Sequence, residues 1–219
     1  PQTYNLDANV ENVVLTGSIA INVNGTTADN KLDGNTAANT IDGGTGVDTM
    51  AGGTGDDIYI VNVGGEKVKE AANAGTDTVR SEVTFTLTNP TPGDPEIDVS
   101  NVENLELTGN AVIDGTGNAL SNKITGNSAA NKLDGLVGTD SLAGGDGDDT
   151  YVVENIGDKV KEDGTGNDTV ESFVTFTLTD PTVVDPNIKV STIENLTLKG
   201  TAAINATGNT LANTITGND

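Results

Sequence analysis

Cysteine, histidine and tryptophan are absent from this 219-residue chain, and methionine occurs once. Without cysteine there is neither a disulfide framework nor a thiolate metal site. Without histidine, the commonest zinc ligand and the commonest general base are also missing. Metal chemistry is left to hard oxygen ligands, which suit Ca²⁺ or Mg²⁺. Aromatics are scarce, three Tyr and three Phe. No apolar run approaches the roughly 20 residues of a membrane span, so no membrane insertion is expected. Basic residues number 10 against 33 acidic ones, a formal charge of −23. That charge repels nucleic acid and anionic membrane surfaces and asks for a cationic counter-charge in any compact state. A divalent cation answers this need, while a basic partner or a neutral glycan stays open. The opening PQTYNLDANV has neither the basic start nor the apolar stretch of a signal peptide, and the chain reads as an internal piece.

What the chain does have is glycine in a fixed pattern. GGTGVDTMAGGTGDDIYIV at 43–61 and GLVGTDSLAGGDGDDTYVV at 135–153 both follow a nine-residue unit, Gly-Gly-x-Gly-x-Asp-x-U-x, with U a large apolar residue. The U positions run Leu32, Ile41, Met50, Tyr59, Val68 and Ile124, Leu133, Leu142, Tyr151, Val160, every step nine residues. Short β-favouring triplets around each U, separated by glycine-rich turns, predict six residues of turn and three of strand. Two units would close one coil of about eighteen residues. Position six reads Asn30, Asn39, Asp48, Asp57 and then Asn122, Asn131, Asp140, Asp149. Asn completes a turn by hydrogen bonding but brings no charge to a cation; Asp brings both. The early units therefore read as structural and the later pair as calcium-loaded.

A longer period lies over the short one. VENVVLTG at residue 10 returns as VENLELTG at 102 and IENLTLKG at 193, giving modules of 92 and 91 residues. The expected organisation is the end of a preceding module at 1–9, module one at 10–101, module two at 102–192 and the start of a third at 193–219.

These repeats resemble the haemolysin-type, or RTX, calcium-binding family of secreted bacterial proteins. The stretch DIYIVNVGGEKVKEAANAGTDTVRSEVTFTL is also similar to the segment that follows the glycine-rich units in large RTX surface proteins. The resemblance implies an all-β fold, a right-handed parallel β-roll or β-solenoid. It implies Ca²⁺ held between turns by Asp48, Asp57, Asp140 and Asp149, with backbone oxygens from Gly44, Gly46, Gly53, Gly55, Gly138, Gly145 and Gly147. Leu136 and Val137 depart from the pattern, which wants Gly and a small or polar residue there.

Several residues fall outside that scheme. Asp56 and Asp148, at position five, either ligate as well or face solvent. Glu70 with Asp77, and Glu162 with Asp168, recur beyond the nonapeptides; they read first as pins of a turn and second as a further cation site. Tyr59 and Tyr151 read as core-edge packing. Val83, Phe85, Leu87 and Val174, Phe176, Leu178 alternate with polar residues, as do Leu105 with Leu107 and Leu196 with Leu198, which predicts half-buried strand. Every proline except Pro1 lies in NPTPGDPEID or DPTVVDPNIK, and these segments read as loops leaving the coil.

Three functions are compatible with this reading. The first is a structural segment of a large extracellular bacterial protein, an adhesin, surface-layer or biofilm-matrix fibre folded and stiffened by Ca²⁺, with copies of itself as partners. The second is the calcium-folded export region of a type I-secreted enzyme whose catalytic domain lies elsewhere. The third, catalysis by Asp56 with Asp57 or Asp148 with Asp149, is the weakest, because both pairs sit in duplicated metal loops. Modules repeated through the chain favour the first.

Overall fold

One large apolar residue in nine is buried most simply by a chain that turns, extends for a few residues and turns again, so that successive strands stack in parallel. The computed structural model of the chain describes residues 1–89, 94–181 and 185–219, and all regular structure among them is strand. Contacts divide it into two compact units, Pro1–Glu106 and Leu107–Asp219. Each is a parallel β-solenoid.

The first unit contains β1 (Gln2–Asn5), β2 (Asn12–Val14), β3 (Ile21–Thr26), β4 (Lys31–Asp33), β5 (Thr40–Gly44), β6 (Thr49–Ala51), β7 (Ile58–Val61), β8 (Lys67–Lys69), β9 (Thr78–Ser81) and β10 (Phe85–Thr86). Odd-numbered strands stack in the order β1-β3-β5-β7-β9 and even-numbered ones in the order β2-β4-β6-β8. Register follows the nonapeptide: Val23 lies on Ile41 and Ile41 on Tyr59 in one column, Leu32 on Met50 and Met50 on Val68 in the other. All these side chains are at most 1% exposed. Through the glycine block the core is thus two facing columns, each one residue wide until Val61 adds a second buried residue beside Tyr59.

β11 (Asn104–Leu107) is followed by β12 (Gly115–Thr116), β13 (Lys123–Thr125), β14 (Lys132–Asp134), β15 (Ser141–Ala143), β16 (Thr150–Val153), β17 (Lys159–Lys161), β18 (Thr169–Ser172), β19 (Phe176–Thr177), β20 (Asn195–Leu198), β21 (Ala206–Thr207) and β22 (Thr214–Thr216). Here Ile124, Leu142 and Val160 form one column, and Leu133, Tyr151, Val170 and Leu196 the other. All ten apolar positions picked out by the nine-residue count are core residues.

The segments after the glycine blocks are strand only in part. Phe85 and Phe176 sit half-buried in two-residue strands, whereas Leu87, Leu178, Leu105, Leu107, Leu196 and Leu198 are buried. Both members of the Leu105/Leu107 and Leu196/Leu198 pairs are inside while the residues between them are only partly buried, the pattern of a strand with one buried face. Of the proline-rich segments, Pro90 and Pro92 lie outside the described residues. Asp94–Ile97 and Asp185–Ile188 close as turns with Pro95 and Pro186 as the second residue, a place that suits the fixed φ of proline. Each segment then returns to the stack, Asp98 bridging Lys69 and Lys189 bridging Lys161.

Candidate metal centre

The turns between strands carry the charge. Because each coil repeats after eighteen residues, position-six side chains from alternate nonapeptides lie one above another in two rows. One row begins Asn30, Asp48 and the other Asn39, Asp57; in the second unit the rows begin Asn122, Asp140 and Asn131, Asp149. The rungs are alike. The backbone N–H of Asn30 donates to Asp48 Oδ1 at 2.7 Å and that of Asn39 to Asp57 Oδ1 at 2.7 Å. Asn122 donates to Asp140 at 2.7 Å and Asn131 to Asp149 at 2.8 Å.

Asparagine and aspartate then part company. Asn39 Oδ1 accepts the Asn35 N–H at 2.8 Å, and its Nδ2 donates to the Ile21 carbonyl of the coil below at 2.7 Å. Asn131 repeats this with Asn127 and with the Ile113 carbonyl. Asparagine thus uses both ends of its amide. In each aspartate only Oδ1 is engaged in this way. Oδ2 of Asp48, Asp57, Asp140 and Asp149 is buried and receives no hydrogen bond, with the residues at most 1% exposed.

A buried carboxylate oxygen without a donor is costly unless a cation compensates it. Desolvation raises all four acids: Asp57 and Asp140 are pushed up to about 6, Asp149 to about 7, and Asp48 upward as well. The Asn39, Asn122, Asn131 and Asn30 N–H groups oppose the shift without overcoming it. Inward-turned carboxylates on glycine turns are what a hard divalent ion takes as ligands, so the donor set fits Ca²⁺.

The first glycine of the unit is explained by the same geometry. A Cβ on Gly52 would stand 2.2 Å from Asp57 Oδ2, and one on Gly144 would stand 2.2 Å from Asp149 Oδ2. The carboxylate is tucked under its own turn, and only glycine leaves room. Of the expected carbonyl donors, Gly44, Gly53, Gly55, Gly138, Gly145 and Gly147 have positive φ, and Gly46 does not. The Gly138 carbonyl already accepts Asn155 Nδ2 at 2.6 Å. Leu136 holds the turn in spite of its side chain, at φ 61°.

Asp56 and Asp148 are exposed and pin the next coil: Asp56 Oδ1 accepts the Thr76 N–H at 2.9 Å and Asp148 Oδ1 the Asn167 N–H at 2.8 Å. Asp57 and Asp149, at 1% exposure, are out of reach of a substrate, so neither Asp pair forms a substrate-facing dyad. Tyr59 and Tyr151 are fully buried, as packing residues should be, but their hydroxyls also have a polar role. Tyr59 Oη accepts the Gly52 N–H at 2.7 Å and donates to Glu70 Oε2; Tyr151 does the same with Gly144 and Glu162.

The rows extend beyond the glycine blocks. Asp77 Oδ1 accepts the Asp57 N–H at 2.8 Å and Asp168 Oδ1 the Asp149 N–H at 2.9 Å. Their own N–H groups donate to Glu103 and Glu194. In the other row Asp158 Oδ1 accepts the Asp140 N–H at 3.0 Å. Glu66, at the matching place in the first unit, keeps Oε1 buried without a hydrogen bond, and desolvation lifts its carboxyl to about 8. Glu66, Asp158, Glu103 and Glu194 were not singled out from sequence. The eighteen-residue step from Asp48 and Asp140 would have found the first two.

Asp57, Glu70 and Asp77 come together, as do Asp149, Glu162 and Asp168; in each group three carboxylate oxygens lie within 4.8 Å of one another, and all six residues are buried. The recurring Glu and Asp of each unit are thus brought beside its last position-six aspartate.

No curated protein and no solved structure matches the chain. The family model of the RTX calcium-binding nonapeptide repeat (4 copies) matches residues 24–59 and 116–151, the two stretches that hold the rows of Asn and Asp. The chain carries RTX calcium-binding nonapeptide repeats, which imply that it binds Ca²⁺.

Proposed function

We propose that this chain is a calcium-ordered structural segment of a large extracellular bacterial protein, an adhesin, surface-layer component or biofilm-matrix fibre. One observation carries the reading: in both units, position-six aspartates bury an oxygen that no protein group satisfies. A fold that stacks such groups is incomplete without a cation, and binding then contributes directly to folding. Asp48, Asp57, Asp140 and Asp149 supply the charge, and the carbonyls of Gly44, Gly46, Gly53, Gly55, Gly138, Gly145 and Gly147 supply neutral oxygen. RTX repeats are typical of secreted bacterial proteins, and calcium is plentiful outside the cell, so such a segment would stay slack during export and stiffen afterwards. Modules recurring along the chain suit a scaffold, with other copies as neighbours.

Circular dichroism tests the calcium dependence. In excess chelator the β signal should largely vanish and return on adding Ca²⁺, with Mg²⁺ a poor substitute because it demands a tighter octahedron and keeps its waters. A spectrum unchanged after verified metal removal would defeat the proposal.

A further inference from the structure

The glycine blocks end in something that the nonapeptide pattern does not describe. After Val68 the chain leaves the nine-residue frame, yet it returns Glu70 and Asp77 to the side of the coil that holds Asp57. The second unit does the same with Asp149, Glu162 and Asp168. All six are at most 2% exposed. Such a grouping of like charge is unfavourable by itself, and each side chain has partners that explain only part of it. Asp57 Oδ1 and Asp77 Oδ1 hold backbone N–H groups, of Asn39 and Asp57. Glu70 Oε1 takes the Ala71 N–H and Oε2 the Tyr59 hydroxyl. What remains is Oδ2 of Asp57 and Oδ2 of Asp77, both buried and both without a hydrogen bond, and Oδ2 of Asp149 in the second group. Unpartnered, fully buried carboxylate oxygens in a three-carboxylate cluster point to a ligand of positive charge.

We propose that each cluster, Asp57/Glu70/Asp77 and Asp149/Glu162/Asp168, is the divalent-cation site that closes its row, in which the last position-six aspartate of the glycine block shares its ion with the carboxylates of a Glu and an Asp from beyond the block. Size supports Ca²⁺. Calcium takes oxygens at about 2.3–2.6 Å, and three oxygens within 4.8 Å of one another leave a point no farther than about 2.8 Å from all three, so a slight closure about the ion brings them into its shell. Charge supports a divalent or trivalent ion over a monovalent one, since three buried negative charges converge. Tyr59 and Tyr151 are positioning residues, holding Glu70 and Glu162 by their hydroxyls while anchored to the Gly52 and Gly144 N–H groups. The inference deepens the calcium reading above and rests on it.

The tyrosines also provide the test. The chain has no Trp and three Tyr, two of them bonded to a cluster glutamate. Terbium(III), a calcium-sized ion that luminesces when a nearby excited tyrosine transfers energy to it, should light up on tyrosine excitation of the full chain. In the variant carrying Glu70→Gln and Glu162→Gln, which keeps both tyrosines and every position-six aspartate, this emission should need roughly tenfold more terbium or more, since a charged ligand is lost from each site. Calcium stoichiometry by equilibrium dialysis should fall by one ion per cluster at calcium levels that saturate the unaltered chain. Circular dichroism on the same samples separates the two readings: a calcium-induced β signal with unchanged emission and stoichiometry overturns the cluster sites and leaves the proposed function standing. If the double variant does not regain its β signal, Glu70→Gln alone decides, with the second unit as internal control. Emission cut to about half and one calcium fewer support the site, and full emission refutes it.

Discussion

Position six holds two kinds of side chain that sequence patterns treat as near-equivalents, and the structure separates them. Asn39 is a strut: its amide satisfies one N–H in its own turn and one carbonyl in the coil below. Asp57 spans the coils through Oδ1 and leaves Oδ2 for an ion. Substitution should therefore fail in two different ways. Asp57→Ala or Asp149→Ala should weaken calcium binding by roughly tenfold or more in calorimetric titration, because a charged ligand is lost. Asn39→Ala or Asn131→Ala should leave affinity closer to the parent but lower stability in saturating calcium by about 1–3 kcal/mol, from buried groups left without partners. Equal losses of affinity in all four variants would mean that the amide and carboxylate play one role. Leu136 offers a test of the opposite sign. It holds φ 61° where the other three complete units have Gly44, Gly53 and Gly145 with positive φ. Leu136→Gly should raise stability by about 1 kcal/mol, less the entropy of the freer unfolded chain, in thermal melts. A marked loss would show that the leucine side chain contributes packing that outweighs the strain.

The strands were legible in the sequence because burial in a solenoid obeys a simple count. Leu32, Ile41, Met50, Tyr59 and Val68, and their five counterparts, are at nine-residue spacing and all lie in the two columns. The count then breaks. Tyr59 pairs with Val79 and Tyr151 with Val170, so the intervening coils are longer than eighteen residues. Once the step lengthens, a fixed frame cannot tell which acid returns to the row, and Asp77 and Asp168 were visible only as recurring residues of uncertain role. Glu66 and Asp158 were hidden for another reason: they keep the spacing but sit in GGEK and IGDK, turns without the full glycine signature. Side-chain direction was invisible too, which is why Asp56 and Asp57, adjacent and chemically identical, turn out respectively exposed and buried. Columns one residue wide also make each core residue hard to replace. Leu133→Ala or Met50→Ala should cost about 2–5 kcal/mol in calcium, measured by denaturant unfolding, since no second layer can collapse into the space. A cost under about 1 kcal/mol would mean that the coils relax around a gap as ordinary surface structure does.

At the scale of the whole molecule, two electrostatic burdens coincide: a formal net charge of −23 over the chain, and, counted within it, carboxyls inside the turns that desolvation holds away from ionisation. The internal groups fix the sign of the pH response in the calcium-free protein. Asp57, Asp140 and Asp168 are raised to about 6, Asp149 and Glu70 to about 7 and Glu66 to about 8, in each case chiefly by burial. In the unfolded chain the same groups release protons near about 4. Between about pH 4 and pH 8 the folded state therefore holds more protons than the unfolded one, and stability must fall as pH rises. Calcium changes this by replacing the protons: with the ion saturating, the ionised carboxylates are ligands and the midpoint should hold steady or rise over the same range. Surface repulsion also grows with pH, but salt separates the two contributions. At about 1 M sodium chloride the Debye length is near 3 Å, so exposed charges are screened while buried ones are not. The β signal of the chelated protein by circular dichroism should be smallest near pH 8, gain there with salt, and still decline from pH 4 to pH 8. A decline that disappears in salt would assign the pH response to the surface and leave the buried carboxyls without the energetic part given to them here.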